Sequence, residues 1–467
     1  MTGDFGAAGP RISLIVTSKN LENYIDAALW SARCQSLRHI EVIIVDDGST
    51  DDTRPRIARH VKEDARLTLL DGPGRGPAAA RNLGLRAARG EWIAILDGDD
   101  IMHPRRLELL LAEAVAQQAD ILADNQILFF EDGSPSQFLV EGDDWKSRRR
   151  IALGDYIRAN IMYENGAPLG YLKPLFRRSL FSDSRSHYDE SLRIGEDYDL
   201  VARLLRNGAK FSYVPGAFYF YRRHQRSISF RLGSADIASL VIAADRFHAE
   251  LSDAPDLRAV SQRRRDALIR VGHFTRCVER LKAGALVPAL LDLARHPSIW
   301  PLLLDAARDG LGRRLRARRK PASSAKAADG PPKLTDKTYA LLTADKSSPA
   351  ALTISLERAG WQGRVVTCAG FARELAVDVV APELLDMALA KGVHLVLYDD
   401  DRLIDLLPYL LSPEARLARI VMQGSEAPSR PHRLSLSPLA ETPTQIILTA
   451  ADLANPQALA RQLAQVS

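Results

Sequence analysis

The sequence predicts an α/β protein whose first unit is built on a mostly parallel sheet. Three observations carry this. Short β-branched runs alternate with stretches of helical spacing from residue 11 onward. The runs are nearly all apolar instead of alternating with polar residues, as expected of strands covered on both faces. Two of them end abruptly in clusters of aspartate.

Taken in order, Ile12–Val16 is the first strand and Glu41–Val45 (EVIIV) the second, with Asn23–Arg33 carrying apolar residues at helical spacing between them. A strand, helix and strand within thirty-odd residues is a right-handed βαβ crossover, which makes the pair parallel. Ser49, Thr50 and Asp51 offer caps for a second helix after Gly48. Leu67–Leu70 is a third strand, Pro77–Ala88 a third helix and Glu91–Leu96 (EWIAIL) a fourth strand. Asp97-Gly98-Asp99-Asp100 follows, and Pro104 opens a helix over Arg105–Gln117.

The pattern changes at about 231. Ala235–Leu251, Arg263–Leu281 and Leu286–Ala294 have helical periodicity and no strand-like runs interrupt them. A basic run from Arg313 to Lys320 leads into an Ala/Ser/Gly/Pro-rich stretch that reads as a linker. Strand-like runs return at Thr338–Thr343, Arg364–Cys368, His394–Tyr398, Ile420–Gln423 and Gln445–Leu448, with helical segments such as Ala350–Ala359 and Ala458–Gln465. The expected division is an α/β unit at 11–230, a helical extension at 231–312, a linker at 313–333 and a smaller α/β unit at 334–467.

Composition narrows the function classes. The 467 residues carry 63 Lys+Arg against 58 Asp+Glu, a net charge of +5, too small and too local for a nucleic-acid-binding face. Cys34, Cys277 and Cys368 are too few and too far apart for a disulfide scaffold or a cysteine zinc site, and fit a reducing cytosol. No run approaches ~18 apolar residues, so a spanning helix is not expected. Met1–Pro10 lacks the basic-then-apolar pattern of a signal peptide. The basic run after Trp300 could lie on an anionic membrane surface or be a solvated linker edge.

The acidic clusters carry the chemistry. In an open parallel sheet, ligands bind beyond the carboxyl ends of the strands. Asp46 and Asp47 follow one strand, and Asp97, Asp99 and Asp100 another, so two groups of carboxylates should project into one crevice. Crowded anions take up protons or hold a cation. Oxygen ligands on a loop suit Mg²⁺ or Mn²⁺ bridging to substrate phosphates. Loop aspartates also cap helices, a reading with real weight for Asp51 and Asp100.

Seven segments occur in an order that resembles the family 2 glycosyltransferases: Ile12–Asn20 (ISLIVTSKN), Val45–Thr50 (VDDGST), Ala79–Leu83 (AARNL), Leu96–Asp100 (LDGDD), Tyr188–Leu192 (YDESL), Gly195–Leu200 (GEDYDL) and Tyr221–Ser229 (YRRHQRSIS). The resemblance spans roughly residues 11–230 and implies a GT-A fold. Leu169–Arg178 with GEDYDL further resembles transferases of succinoglycan-type bacterial exopolysaccharides.

The resemblance implies roles. Thr17 and Asp47 take positions where the family contacts the nucleotide base, and a carboxylate accepting the imide N–H of uracil favours a UDP-sugar. Lys19 stands where an aromatic residue is common, so it would meet a phosphate instead of stacking on the base. Arg81 would approach the nucleotide or be a solvated helix-face arginine. Asp97 would hold the ribose or a metal-bound water, and Asp99 the divalent cation. His224 would add a metal ligand or a diphosphate contact, against the ordinary reading of a loop histidine. Arg222 would bind the diphosphate. Asp197 matches the base that deprotonates the acceptor hydroxyl, with Glu196 as the alternative or as an acceptor-orienting group; Asp197 and Asp199 would also favour the dipole of a helix start.

Together these describe an inverting, cation-dependent transferase that moves a sugar from a UDP-sugar to a glycan or lipid-linked oligosaccharide acceptor, placed in the cytoplasm at the inner membrane face. The alternatives are a non-catalytic nucleotide-sugar-binding module and a sugar-phosphate nucleotidyltransferase. The second lacks its glycine-rich loop, because Thr17-Ser18-Lys19-Asn20 occupies that position. Gly72–Gly76 (GPGRG) is no phosphate-binding P-loop, since no Gly-Lys-Ser/Thr follows, and reads as a loop beside the donor. Asp399-Asp400-Asp401 imitates the acidic motif without its companions and reads as a cap.

Overall fold

The computed structural model describes residues 9–131, 136–164, 168–224, 227 and 232–304, and beyond them the backbone of strands between 338 and 448. The first unit runs β1 (Ile12–Ser18), α1 (Ile25–Arg33), β2 (Ile40–Asp46), α2 (Thr53–Glu63), β3 (Leu67–Asp71), α3 (Pro77–Ala87) and β4 (Trp92–Asp97). It continues with β5 (Ile101–Met102), α4 (Arg106–Ala116), β6 (Ile121–Phe130), β7 (Gln137–Phe138), β8 (Arg149–Ile151), α5 (Leu153–Ala159), β9 (Leu175–Arg177), α6 (Glu196–Arg206) and β10 (Phe211–Arg223). The sheet order is β3-β2-β1-β4-β9-β6-β10-β5, with β7 on β6 and β8 on β10.

The four strands read as parallel pair in parallel, β3 on β2, β2 on β1 and β1 on β4. Their apolar runs divide by residue parity. Ile15, Ile43, Val45, Ile93 and Ile95 pack under α3, α5 and α6 on one face. Leu14, Val16, Val42, Ile44 and Leu96 pack under α1, α2 and α4 on the other. Both faces being covered, every residue of β1 and β2 is buried.

Beyond β4 the sheet becomes mixed: β9 pairs antiparallel with β4 and β6, and β6 pairs parallel with the long β10. Sequence reasoning did not find β6 or β10. Within β10, register shifts between Val214 and Tyr219 bulge the strand around Pro215 and Gly216, and pairing resumes to Arg223.

Three helices follow, α7 (Ser234–Ala249), α8 (Pro255–Lys282) and α9 (Leu286–Arg295). α8 begins eight residues before the expected Arg263. Pro255 occupies its first turn, and its early residues are largely polar and gave no apolar stripe to read.

The last strands are β11 (Thr338–Thr343), β12 (Gln362–Thr367), β13 (Gly370–Ala372), β14 (Val377–Val379), β15 (Leu395–Tyr398), β16 (Arg416–Met422) and β17 (Thr444–Leu448). Five of them form a parallel sheet in the order β12-β11-β15-β16-β17, and β13 pairs antiparallel with β14. The helical segments expected at Ala350–Ala359 and Ala458–Gln465, the basic run at Arg313–Lys320, and Asp399–Asp401 lie outside the described residues.

Candidate active site

Register alone brings the acidic strand ends together. Thr17 pairs with Val45 on one side and Asp97 on the other, so the tips bearing Asp46–Asp47 and Asp97–Asp99 flank the tip of β1. Gly98 lets this happen closely: its amide donates to the Thr17 carbonyl at 3.0 Å, and an added Cβ would lie 2.8 Å from that oxygen. Above these tips opens a cavity of about 930 Å³. Thr17, Lys19, Asp47, Arg81, Asp97, Asp99, Glu196, Asp197 and His224 all line it. Arg222 does not.

α6 delivers Glu196 and Asp197. Gly195 caps it at φ +81°, and an added Cβ there would meet Leu240 at 2.6 Å, so both conformation and space call for glycine. The two carboxylates join a buried ionic cluster centred on Arg81 of α3. Its Nη2 donates to Asp97 at 2.7 Å, and its Nη1 to Glu196 at 2.5 Å and Asp197 at 3.1 Å. Lys173, just before β9, bridges the same pair from the other side, with Nζ 3.0 Å from Asp97 and 2.7 Å from Asp197. Arg81 and Lys173 are almost wholly buried, whereas Asp197 keeps more open surface.

Three carboxylates thus share two cations. Burial opposes ionisation of Asp97, but Lys173 and Arg81 outweigh it and hold this carboxyl well below the usual range. Burial also pulls down on Arg81 and Lys173, yet Asp197 and Asp97 push both well above their ordinary values. Glu196 goes the other way: burial, then the charge of Asp197, raises it. Arg81 is therefore not the solvated helix-face arginine of the alternative expectation.

The β4 tip is tied to β10. His224 Nε2 lies 2.9 Å from Asp99 Oδ2. Asp100 is no helix cap: it accepts the Tyr219 hydroxyl at 2.7 Å and the Arg222 amide at 2.8 Å, and burial, then Asp99 and Asp97, raise its carboxyl well above the ordinary value. The Arg222 side chain is held by protein partners. Its Nε donates to the Asp99 carbonyl at 2.8 Å, and its guanidinium lies against Tyr24 and Phe129, outside the cavity wall.

Asp47 ties down a neighbouring loop. Its Oδ1 accepts the Gly74 amide at 2.7 Å and its Oδ2 the Gly76 amide at 2.8 Å, so it pins the GPGRG loop beside the cavity. Asn20 laces the β1 and β2 tips: its side-chain carbonyl accepts the Thr50 amide at 2.8 Å. Asp51 is not the helix cap expected of it: α2 is N-capped by Asp52 without a side-chain hydrogen bond, and Asp51 accepts the amide and hydroxyl of Thr53 in a local turn just before the helix. Among the described residues, no three His, Cys, Asp or Glu side chains converge as a preformed metal site.

Lys173 was not singled out from the sequence. The available signal was a lone lysine between Leu172 and Pro174-Leu175, a charged residue set in an apolar stretch.

Residues 13–180 match the family model described as glycosyl transferase family 2. The succinoglycan biosynthesis protein ExoO of Rhizobium meliloti (strain 1021) is 36% identical over 297 residues, covering 62% of this chain and 84% of that protein. ExoU, a second succinoglycan biosynthesis protein of that strain, is 35% identical over 218 residues, covering 46% of this chain and 62% of its own length. Among solved structures, S. aureus TarS 1-349 in complex with UDP-GlcNAc is similar at 21% identity and a TM-score of 0.45, over 54% of this chain and 72% of that one. The 36% identity running through most of one relative, together with the family model, establishes that the chain belongs to glycosyl transferase family 2, with a GT-A fold in its first unit.

Proposed function

We propose that this glycosyltransferase moves a sugar with inversion from a UDP-sugar to a glycan or lipid-linked oligosaccharide acceptor in exopolysaccharide assembly. The observation that carries it is the joining of Asp197 to Asp97 through Arg81 and Lys173 inside one cavity. A candidate base and a candidate donor site are thereby held a few ångströms apart. The relatives named for succinoglycan biosynthesis support the acceptor class. Among the described residues no helix is long and apolar enough to cross a membrane; placement at the cytoplasmic membrane face is part of the proposal.

In a single in-line displacement the acceptor hydroxyl attacks the anomeric carbon while UDP departs, and Asp197 takes the hydroxyl proton. Arg81 and Lys173 each hold one oxygen of Asp197, which fixes its orientation and leaves each oxygen further capacity to accept a proton. Asp47 holds the loop over the base-binding end. Thr17 and Lys19 line that end, the lysine free to meet a phosphate.

Asp99 and His224 offer an oxygen and a nitrogen donor side by side, which fits Mg²⁺ or Mn²⁺, ions that take few protein ligands and complete their shell with water and phosphate. Such an ion supplies neutralisation of the charge gathering on the departing diphosphate.

Turnover of labelled UDP-sugar tests the reading. Asp197→Asn should lose about 10²–10⁴-fold in kcat while UDP affinity stays within about threefold. Turnover at the wild-type rate by Asp197→Asn, with Glu196→Gln inactive, would move the base to Glu196.

A further inference from the structure

The cavity has a second end, built by the helical extension, and its chemistry differs from that of the donor end. Met162, Leu232, Leu240 and Leu268 form an apolar wall there. Set in this wall is Arg264 of α8, which is only 8% exposed. Its guanidinium carbon sits 3.6 Å from the ring centroid of Tyr198, the residue after Asp197.

The other arginines of the cavity are paired. Arg81 has its three carboxylates, and Arg193 pairs with Asp236 at 2.6 Å. Arg264 is not. Its Nε is buried without a hydrogen-bond partner, and among the described residues no carboxylate lies within ion-pair distance of it. A buried, unpaired charge is costly, and an unsatisfied buried donor adds to the cost. Stacking on Tyr198 offsets part of the charge but satisfies none of the N–H groups. A guanidinium kept in this state, opening on a cavity, is a fork for an oxyanion.

We infer that Arg264, stacked on Tyr198 beside Asp197, is an anion-recognition residue for the acceptor, which carries a carboxylate or phosphate group one subsite away from the attacking hydroxyl. The inference rests on the glycosyl-transfer reading above and deepens it by naming the acceptor's charge. Arg264 lies beyond residues 13–180, so the selectivity belongs to the extension and not to the segment matched by the family model. The apolar surroundings strengthen the pairing, because little water competes for the charge. The oxyanion has two sources, an acidic sugar or the phosphate of a lipid carrier.

The test uses the full chain saturated with UDP, so that the donor end is filled. Binding of octyl β-D-glucuronide, octyl phosphate and neutral octyl β-D-glucoside is measured by calorimetry. At least one anionic probe should bind about ten- to a hundredfold more tightly than the neutral one. Preference for the glucuronide identifies an acidic sugar, and preference for the phosphate a lipid carrier. Arg264→Met should erase the preference and leave the UDP affinity unchanged. Equal affinity of wild type for all three probes overturns the inference, whether or not the variant folds; so does an anion preference that survives in Arg264→Met. Failure of UDP to bind at all is a different result and counts against the function reading.

Discussion

His224 Nε2 lies 2.9 Å from Asp99 Oδ2, joining residues 125 positions apart at the mouth of the cavity. Asp100 and Arg222 hold this contact in place, since the Asp100 carboxylate and the Asp99 carbonyl both accept from Arg222 and so dock the end of β10 onto the tip of β4. If the pair grips a cation that holds a pyrophosphate, UDP with Mn²⁺ should raise the thermal midpoint beyond UDP alone. Asp99→Ala should remove that increment and lower turnover at least about a hundredfold, because a bound cation supplies several kcal/mol. His224→Ala should reduce the increment. A full increment in Asp99→Ala, read by thermal shift, would exclude this pair as the cation site.

Lys173 neutralises part of a cluster with three carboxylates. Replacing it with methionine leaves the partly buried Asp97 and Asp197 with one cation between them. Urea denaturation of Lys173→Met should show a loss of about 3–5 kcal/mol, with Lys173→Arg much closer to wild type. A loss below about 1 kcal/mol would mean that Arg81 alone balances the cluster.

Asp47 pins two amides of the GPGRG loop, and Arg75 between them is exposed. Asp47→Ala should free the loop, so limited trypsin digestion should cut after Arg75 several times faster than in wild type. It should also weaken UDP binding by about tenfold, two hydrogen bonds to a charged acceptor being lost from the loop. Unchanged cleavage would show that the loop is held by other means.

His103 is buried, and its Nδ1 accepts the Arg105 amide at 3.0 Å. Burial, then the charge of Arg105, pulls its pKa down to about 3 from 6.5. Below pH 6.5 the unfolded chain takes up a proton that the folded chain refuses. This contribution is complete above that pH and falls away towards pH 3, by about 1.4 kcal/mol per pH unit. Urea midpoints at pH 7.5 and 5.5 should therefore differ less in His103→Asn than in wild type. Identical differences in both would remove His103 as the source.

Much of the molecule was legible along the chain because its signals are local. Parallel strands covered on both faces are apolar at most positions, so β1, β2 and β4 announce themselves. Acids placed just past such strands must emerge at the same edge of the sheet, which is why Asp47, Asp97 and Asp99 could be grouped before any coordinates. β10 could not be read, because its Pro215–Gly216 bulge breaks the period that marks a strand.

What the order of residues determined by itself was the set of chemical groups at the sheet's edge and the family motifs around them. Only the tertiary structure decided their partners: Lys173 between Asp97 and Asp197, Arg222 on the Asp99 carbonyl, Arg264 on the ring of Tyr198. The reason is electrostatic. A side chain's charge is written in its identity, but what that charge meets depends on burial and on neighbours a hundred residues away, and these exist only once the chain has closed on itself.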